Sequence, residues 1–237
     1  MSMFNGTTVL LTGVGAEGQV GEVVAQTFAR LGAALVLVDR TAQHVEARAA
    51  AIVASGAHAR GYACDLSDPS AVDDLAERVR ADHGGALAGL VHMAGGFAMS
   101  GPVAESDPAI WSRQLLINLT TAYLTSRAFL PQLRAGRGAL VFFASEAALP
   151  GASVANKAAY AVAKSGVVTL MRAIAAEERK TGVRANAIAP TSIRTATNVA
   201  AMGDDVRYVE REQVADLVAF LCSSRAGAIT GSLIPLG

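Results

Sequence analysis

Thr7-Thr8-Val9-Leu10-Leu11-Thr12-Gly13-Val14-Gly15-Ala16-Glu17-Gly18-Gln19-Val20-Gly21 is the stretch on which the fold is decided. A strand-sized apolar run, Thr7–Leu11, breaks into a glycine-rich turn, and a helical pattern, Glu22–Leu31, follows at once. Glycines let a backbone turn sharply and approach a ligand closely, and a helix N-terminus stabilises negative charge. A turn of this kind between a first strand and a first helix reads as a pyrophosphate-binding turn, with Gly13, Gly18 and Val20 as candidate contacts.

Outward from this turn, strand-sized runs recur at Ala34–Val38, Arg60–Cys64, Gly89–Met93, Ala139–Phe143, Arg184–Ile188 and Ser232–Pro235. Helical patterns lie between them at Ala42–Ser55, Ala71–Ala81, Ile110–Leu133, Ala158–Lys180 and Glu212–Cys222. Strands apolar on both faces, alternating with helices, predict an α/β fold with a parallel sheet covered on both sides. Asp68-Pro69 and Asp107-Pro108 read as helix entries, with Asp as cap and Pro in the first turn. No linker, charge block or repeat divides residues 1–237, so one doubly wound domain is expected, its ligand at the carboxyl ends of the strands. The least regular part is Pro190–Tyr208.

With 52% hydrophobic and 17% charged residues, the chain is too apolar to be disordered. Twenty basic residues balance 20 acidic ones, which gives no field for nucleic acid or an anionic membrane and favours a small-molecule partner. Met1–Thr8 is polar, without the pattern of a signal peptide, and the apolar runs are far shorter than a membrane span. Cys64 and Cys222 are widely separated and read as small buried side chains in a reducing cytoplasm.

Asp39 ends the second strand, where an acid can accept hydrogen bonds from both ribose hydroxyls of an adenosine and repel a 2′-phosphate. With no Lys or Arg between Met1 and Gln26, this favours NAD over NADP, although Arg40 could pair with a phosphate. Tyr160 and Lys164, four apart at the start of a helical pattern, share one face. An ammonium near a phenol favours the phenolate, making Tyr160 a usable acid/base. Tyr-x-x-x-Lys is common by chance and gains weight only from its company.

That company is Thr12-Gly13 to Gly21, Asp65-Leu66, Ala94-Gly95, Asn118, Ser145, Tyr160/Lys164, Pro190 and Ile229-Thr230-Gly231. In this order, over essentially the whole chain, the landmarks resemble the short-chain dehydrogenase/reductase family. The resemblance implies a single-domain Rossmann fold, a seven-stranded parallel sheet with three helices on each face. It implies that Tyr160 exchanges a proton with an alcohol or carbonyl oxygen, while Lys164 depresses its pKa and holds the nicotinamide ribose. Ser145 would hydrogen-bond the reacting oxygen, and Asn118 would help hold a water linking Lys164 to solvent. Asp65 and Leu66 would flank the adenine, and Ala94-Gly95 would line the cofactor cleft. Pro190–Thr195 would cover the nicotinamide, with Ile193 near its carboxamide and Thr195 near a phosphate. No metal is implied, and the family's usual assembly is a homotetramer or homodimer.

Four departures qualify the resemblance. The glycine turn is two residues longer than usual, matching the divergent enoyl reductase branch, but that branch usually spaces its Tyr and Lys seven apart. Carbonyl/alcohol chemistry, 3-oxoacyl-type substrates included, is therefore expected ahead of enoyl-thioester reduction. Counting back thirteen residues from Tyr160 reaches Ala147, whereas Ser145 directly follows its strand; Ser153 is the fallback. His92-Met93 replaces an Asn-Asn pair, and His92 reads as a structural residue. The segment from Pro190 to about 208 is a short substrate loop, with Thr191 where glycine is frequent, suited to a bulky or carrier-bound substrate. A catalytically silent NAD-binding regulator is the remaining alternative, disfavoured by the retained Asn118, Tyr160 and Lys164.

Overall fold

The computed structural model describes residues 3–15 and 17–237; Met1, Ser2 and Ala16 of the glycine turn lie outside the described residues. Seven strands form one parallel sheet: β1 (Thr8–Thr12), β2 (Ala34–Asp39), β3 (Ala59–Ala63), β4 (Gly89–His92), β5 (Ala139–Phe143), β6 (Arg184–Pro190) and β7 (Leu233–Leu236). Their order is β3-β2-β1-β4-β5-β6-β7, so the chain winds outward from β1 and then returns to lay β4 on its other side. The crevice where the winding reverses is where such sheets bind ligands. Register fixes what meets there: Thr12 pairs with Val38 on one side and His92 on the other, which levels the ends of β1, β2 and β4.

Alternation along each strand divides the core into two layers. Leu10, Val36 and Leu140 face α3 (Pro69–His83), α5 (Thr121–Gly136) and α6 (Ala158–Glu177). Val9, Leu37 and Val141 face α1 (Val20–Arg30), α2 (Ala42–Ala54) and α8 (Arg211–Cys222), giving three helices on each face as the resemblance implied. The carboxylate of Asp68 caps α3 by accepting from the Ser70 and Ala71 amides. Asp107 likewise caps α4 (Pro108–Leu115) through the Ala109 amide. Ala158–Lys180 is long and apolar enough to cross a membrane by composition, yet half of that stretch is buried, with Val167, Met171 and Ile174 in the core. Cys64 and Cys222 are buried free thiols, raised by burial to about 11 and about 12.

Two expectations are corrected. The single helix expected over Ile110–Leu133 is α4, a π-helical turn at Leu116–Thr120, and then α5. The irregular Pro190–Tyr208 contains α7 (Ala196–Met202), whose N-cap Thr195 accepts a hydrogen bond from the Asn198 amide.

Candidate active site

The site begins where β1 and β4 nearly touch. Gly13 has φ +68, and a Cβ there would lie 2.6 Å from the Ala94 nitrogen. A side chain would therefore push the two strand ends apart. Beside this contact opens a cleft of about 630 Å³, lined by Gly13, Asp39, Asp65, Leu66, Ala94 and Gly95 among others. That volume suits a ligand of drug size or larger. A second cavity of about 650 Å³, lined by Gln26, Arg30, Ile52 and His58, touches none of the expected site residues.

Asp39 is tied to the glycine turn: its carboxylate accepts from the Gly15 amide at 2.8 Å and the Thr41 amide at 3.1 Å. Asp65 accepts from the hydroxyl and amide of Ser67, which hold it below the usual carboxylate range, with Arg40 assisting. Leu66 is buried beside it. The Gly18 amide donates at 2.8 Å to Glu22, a residue not among those expected. Glu22 also pairs with Arg48 at 2.9 Å and Arg211 at 3.5 Å. Burial would raise the Glu22 pKa, but the Gly18 amide and the two guanidinium groups outweigh it and leave it lowered. The amides of Gly15 and Gly18 are thus engaged by acids. The Gly18 carbonyl accepts from the Ala196 amide at 3.0 Å, which brings the segment after β6 onto the turn. Pro190 ends β6, Ile193 pairs with Val209 in a parallel bridge, and Val20 is the first residue of α1.

The first two turns of α6 carry Tyr160 and Lys164. Lys164 is buried and donates to the Phe143 carbonyl at 2.7 Å, with its Nζ 5.8 Å from the Tyr160 ring centroid. Burial lowers its pKa to about 8. Burial raises Tyr160, a hydrogen bond shared with Ser145 lowers it, and the charge of Glu146 raises it further. The net shift is upward, so the protein alone favours the neutral phenol; the expected depression by Lys164 is not what these contacts produce. The reason is geometric: the ammonium is bound to a β5 carbonyl and lies across the ring. Ser145 follows β5, and its hydroxyl also accepts from the Ala147 amide at 3.2 Å. Ala147 is buried, and Ser153 is exposed.

Asn118 sits in the π-helical turn, 1% exposed. Its Oδ1 accepts from the Gly96 amide at 3.2 Å, and its Nδ2 donates to the Gly96 carbonyl at 2.9 Å and the Gln114 carbonyl at 3.1 Å. A Cβ on Gly95 would lie 2.5 Å from that Oδ1, so glycine is needed there. The extra residue of a π turn redirects one side chain without ending the helix, and such turns recur at functional sites.

His92 is buried at the end of β4. The Thr121 hydroxyl donates to the Ile117 carbonyl at 2.8 Å and so accepts from His92 Nε2 at 3.3 Å. Nδ1 is then left to accept from Thr12 at 3.2 Å, and Thr12 accepts from the Ala94 amide at 3.4 Å. Both nitrogens are satisfied by a neutral ring. Burial, helped by the Lys164 charge, lowers its pKa from 6.5 to about 3. Below pH 6.5 the unfolded chain binds a proton that the folded chain refuses, so stability should fall as pH drops. The slope just above the carboxylate range should reach about 1.4 kcal/mol per pH unit for this group, with half-buried His83 adding in the same direction. Denaturant titrations of wild type and His92→Asn at several pH values check this; an unchanged slope in the variant would remove His92 as the cause.

Among the described residues, no group of three or more His, Cys, Asp or Glu side chains is placed to hold a metal ion. The family model described as enoyl-(acyl carrier protein) reductase matches residues 13–236. The chain is 33% identical to 2-(S)-hydroxypropyl-CoM dehydrogenase 3 of Xanthobacter autotrophicus, over 94% of this chain and 92% of that one. It is 34% identical to D-threitol dehydrogenase of Mycolicibacterium smegmatis, over 96% of this chain and 90% of that one. A solved short-chain type dehydrogenase/reductase from Mycobacterium ulcerans superposes with a TM-score of 0.90 at 29% identity, covering 98% of this chain and 89% of that one.

Proposed function

The chain belongs to the short-chain dehydrogenase/reductase family, an oxidoreductase family that binds NAD(P), and we propose that it interconverts a secondary alcohol and a ketone with NAD(H). The observation that carries this reading is Tyr160 beside Ser145, whose hydroxyl favours its phenolate, with the Lys164 ammonium 5.8 Å from the tyrosine ring and the glycine-lined cleft beside them. The names of the two relatives, both alcohol dehydrogenases, support the same chemistry.

The residues present fit a dinucleotide. Gly13 and Gly95 leave space that a Cβ would fill, Asp39 presents a carboxylate at the rim, and Leu66 gives the adenine an apolar wall. Asp39 would hold the ribose hydroxyls and repel a 2′-phosphate, which favours NAD over NADP. Gly13, Gly18 and Val20 would form the phosphate turn, Asp65 would flank the adenine, and Ala94 would line the cleft. Pro190, Ile193 and Thr195 would cover the nicotinamide. The bound nicotinamide supplies the hydride donor or acceptor. Tyr160 takes the proton of an alcohol or gives one to a ketone, and Ser145 orients that oxygen. Lys164 contributes positive charge, and Asn118 fixes the Gly96 backbone opposite it.

Retention of Tyr160, Lys164 and Ser145 supports an active enzyme over a silent regulator. Two free buried thiols suit a reducing cytoplasm. Exposed Trp111, Leu116, Tyr123 and Val162 on α4 to α6 support a homodimer or homotetramer. Enoyl-thioester reduction is the second reading, favoured by the description of the matching family model and by the lengthened turn. A 3-oxoacyl thioester and an enoyl thioester, each assayed with NADH, discriminate the two. Reduction of the oxo compound alone is expected; reduction of the enoyl compound alone would reverse the assignment.

A further inference from the structure

We propose that Phe97, Met99 and Val154 form an apolar shelf beside Tyr160 that selects secondary alcohols and ketones carrying a bulky hydrocarbon group over polyhydroxylated ones. This rests on Tyr160 being the proton-transfer residue and adds the substrate class.

The shelf is built from two loops tied to each other at the Asn156 carbonyl. Asn118 binds both the amide and the carbonyl of Gly96, which fixes the chain where it enters Phe97. The Phe97 ring then packs edge-on against Tyr160, with centroids 5.0 Å apart and planes at 90°. Further along, the amides of Ser100 and Gly101 donate to the Asn156 carbonyl at 2.8 and 3.1 Å, and the Ser100 hydroxyl donates to it at 3.3 Å. Asn156 adopts φ +60, a costly conformation that turns this one carbonyl toward three donors. The clamp ties the loop after β4 to the loop before α6.

The side chains left outward are apolar. Phe97 is 59% exposed, Met99 52% and Val154 43%. Single exposed apolar residues are ordinary, but these three lie on two clamped loops, and one of them touches the tyrosine. Hydrocarbon laid on such a surface removes apolar area from water on both sides. The Ser100 hydroxyl and the amides of Gly96, Ser100 and Gly101 are already bonded, so these groups offer a polyol no donor in exchange for its lost hydration. Ser145 remains for the reacting oxygen.

The test compares 1-phenylethanol with meso-erythritol, each with NAD+, on the full chain and on Phe97→Ser. Phe97 is largely exposed, so the variant should fold. Wild type should prefer 1-phenylethanol in kcat/KM by about tenfold or more. Phe97→Ser should lower the kcat/KM ratio of 1-phenylethanol over erythritol by about tenfold, with the loss on 1-phenylethanol mainly in KM. A wild-type preference for erythritol, an equal loss on both alcohols, or a change of oligomeric state without a change of preference would overturn the shelf. If neither alcohol is turned over, calorimetric titration of acetophenone into the NADH-loaded protein decides. Binding that Phe97→Ser abolishes would uphold the shelf and defeat the Tyr160 reading, whereas binding indifferent to Phe97, or none, would overturn the shelf itself.

Discussion

Tyr160→Phe is expected to lower kcat/KM for alcohol oxidation by about 10³-fold while leaving NAD affinity within about twofold. The substitution removes one oxygen. The ring keeps its edge contact with Phe97, and Ser145 keeps its bond from the Ala147 amide. Loss of the hydroxyl and its interaction with Ser145 costs on the order of 1 kcal/mol at most, too little to unfold the chain. The direction of the tyrosine shift also fixes the pH dependence. Oxidation needs the phenolate, and burial followed by the Glu146 charge moves Tyr160 upward. Wild-type oxidation should therefore rise toward alkaline pH, and ketone reduction, which needs the neutral phenol, should decline there. Steady-state profiles in both directions, with the variant beside them, check this. Near-normal turnover by the variant would move proton transfer to another residue.

Gly13→Ala should cost about 3 kcal/mol of stability and weaken NAD binding by about tenfold or more. Two penalties add: φ is +68, and the new methyl would lie 2.6 Å from the Ala94 nitrogen and 2.7 Å from its Cα. Both are backbone atoms of the adjoining strand end, so relief requires β1 and β4 to separate at the rim of the cleft. Gly56→Ala is the control. It has φ +89 but nothing within 4 Å, so it isolates backbone strain and should cost about 1 kcal/mol with no effect on NAD. Denaturant unfolding and cofactor titration of both variants separate the effects. Equal behaviour of the two would mean that the contact at Ala94 yields without consequence.

Residues whose local rules agree with the global fold were readable in advance. Asp68 and Asp107, each before a proline, cap the helices that their side-chain chemistry dictates. The strand, glycine turn and helix around Gly13 carried the topology, since a parallel sheet must return each strand through a crossover. The π-helical turn at Leu116–Thr120 was not readable, because an added residue in one turn leaves the apolar period on either side intact. The short α7 was missed because Ala196–Met202 has no buried face to impose a period. Glu22 escaped notice because an acid in a first helical turn is ordinary, and only the folded turn brings the Gly18 amide to it. Ser145 directly follows β5 as the order of elements led one to expect, because strand ends are fixed by the sheet whereas loop lengths, and so counts back from Tyr160, vary.

The central claim is that an alcohol is oxidised beside Tyr160 by hydride transfer to NAD. It is tested most directly with 1-phenylethanol carrying deuterium at the carbinol carbon. The account predicts deuterated reduced nicotinamide and acetophenone in equal amounts, formed by wild type and nearly lost in Tyr160→Phe. Bound NAD that stays oxidised with this and other secondary alcohols, in a protein that reduces an enoyl thioester with NADH, would contradict it.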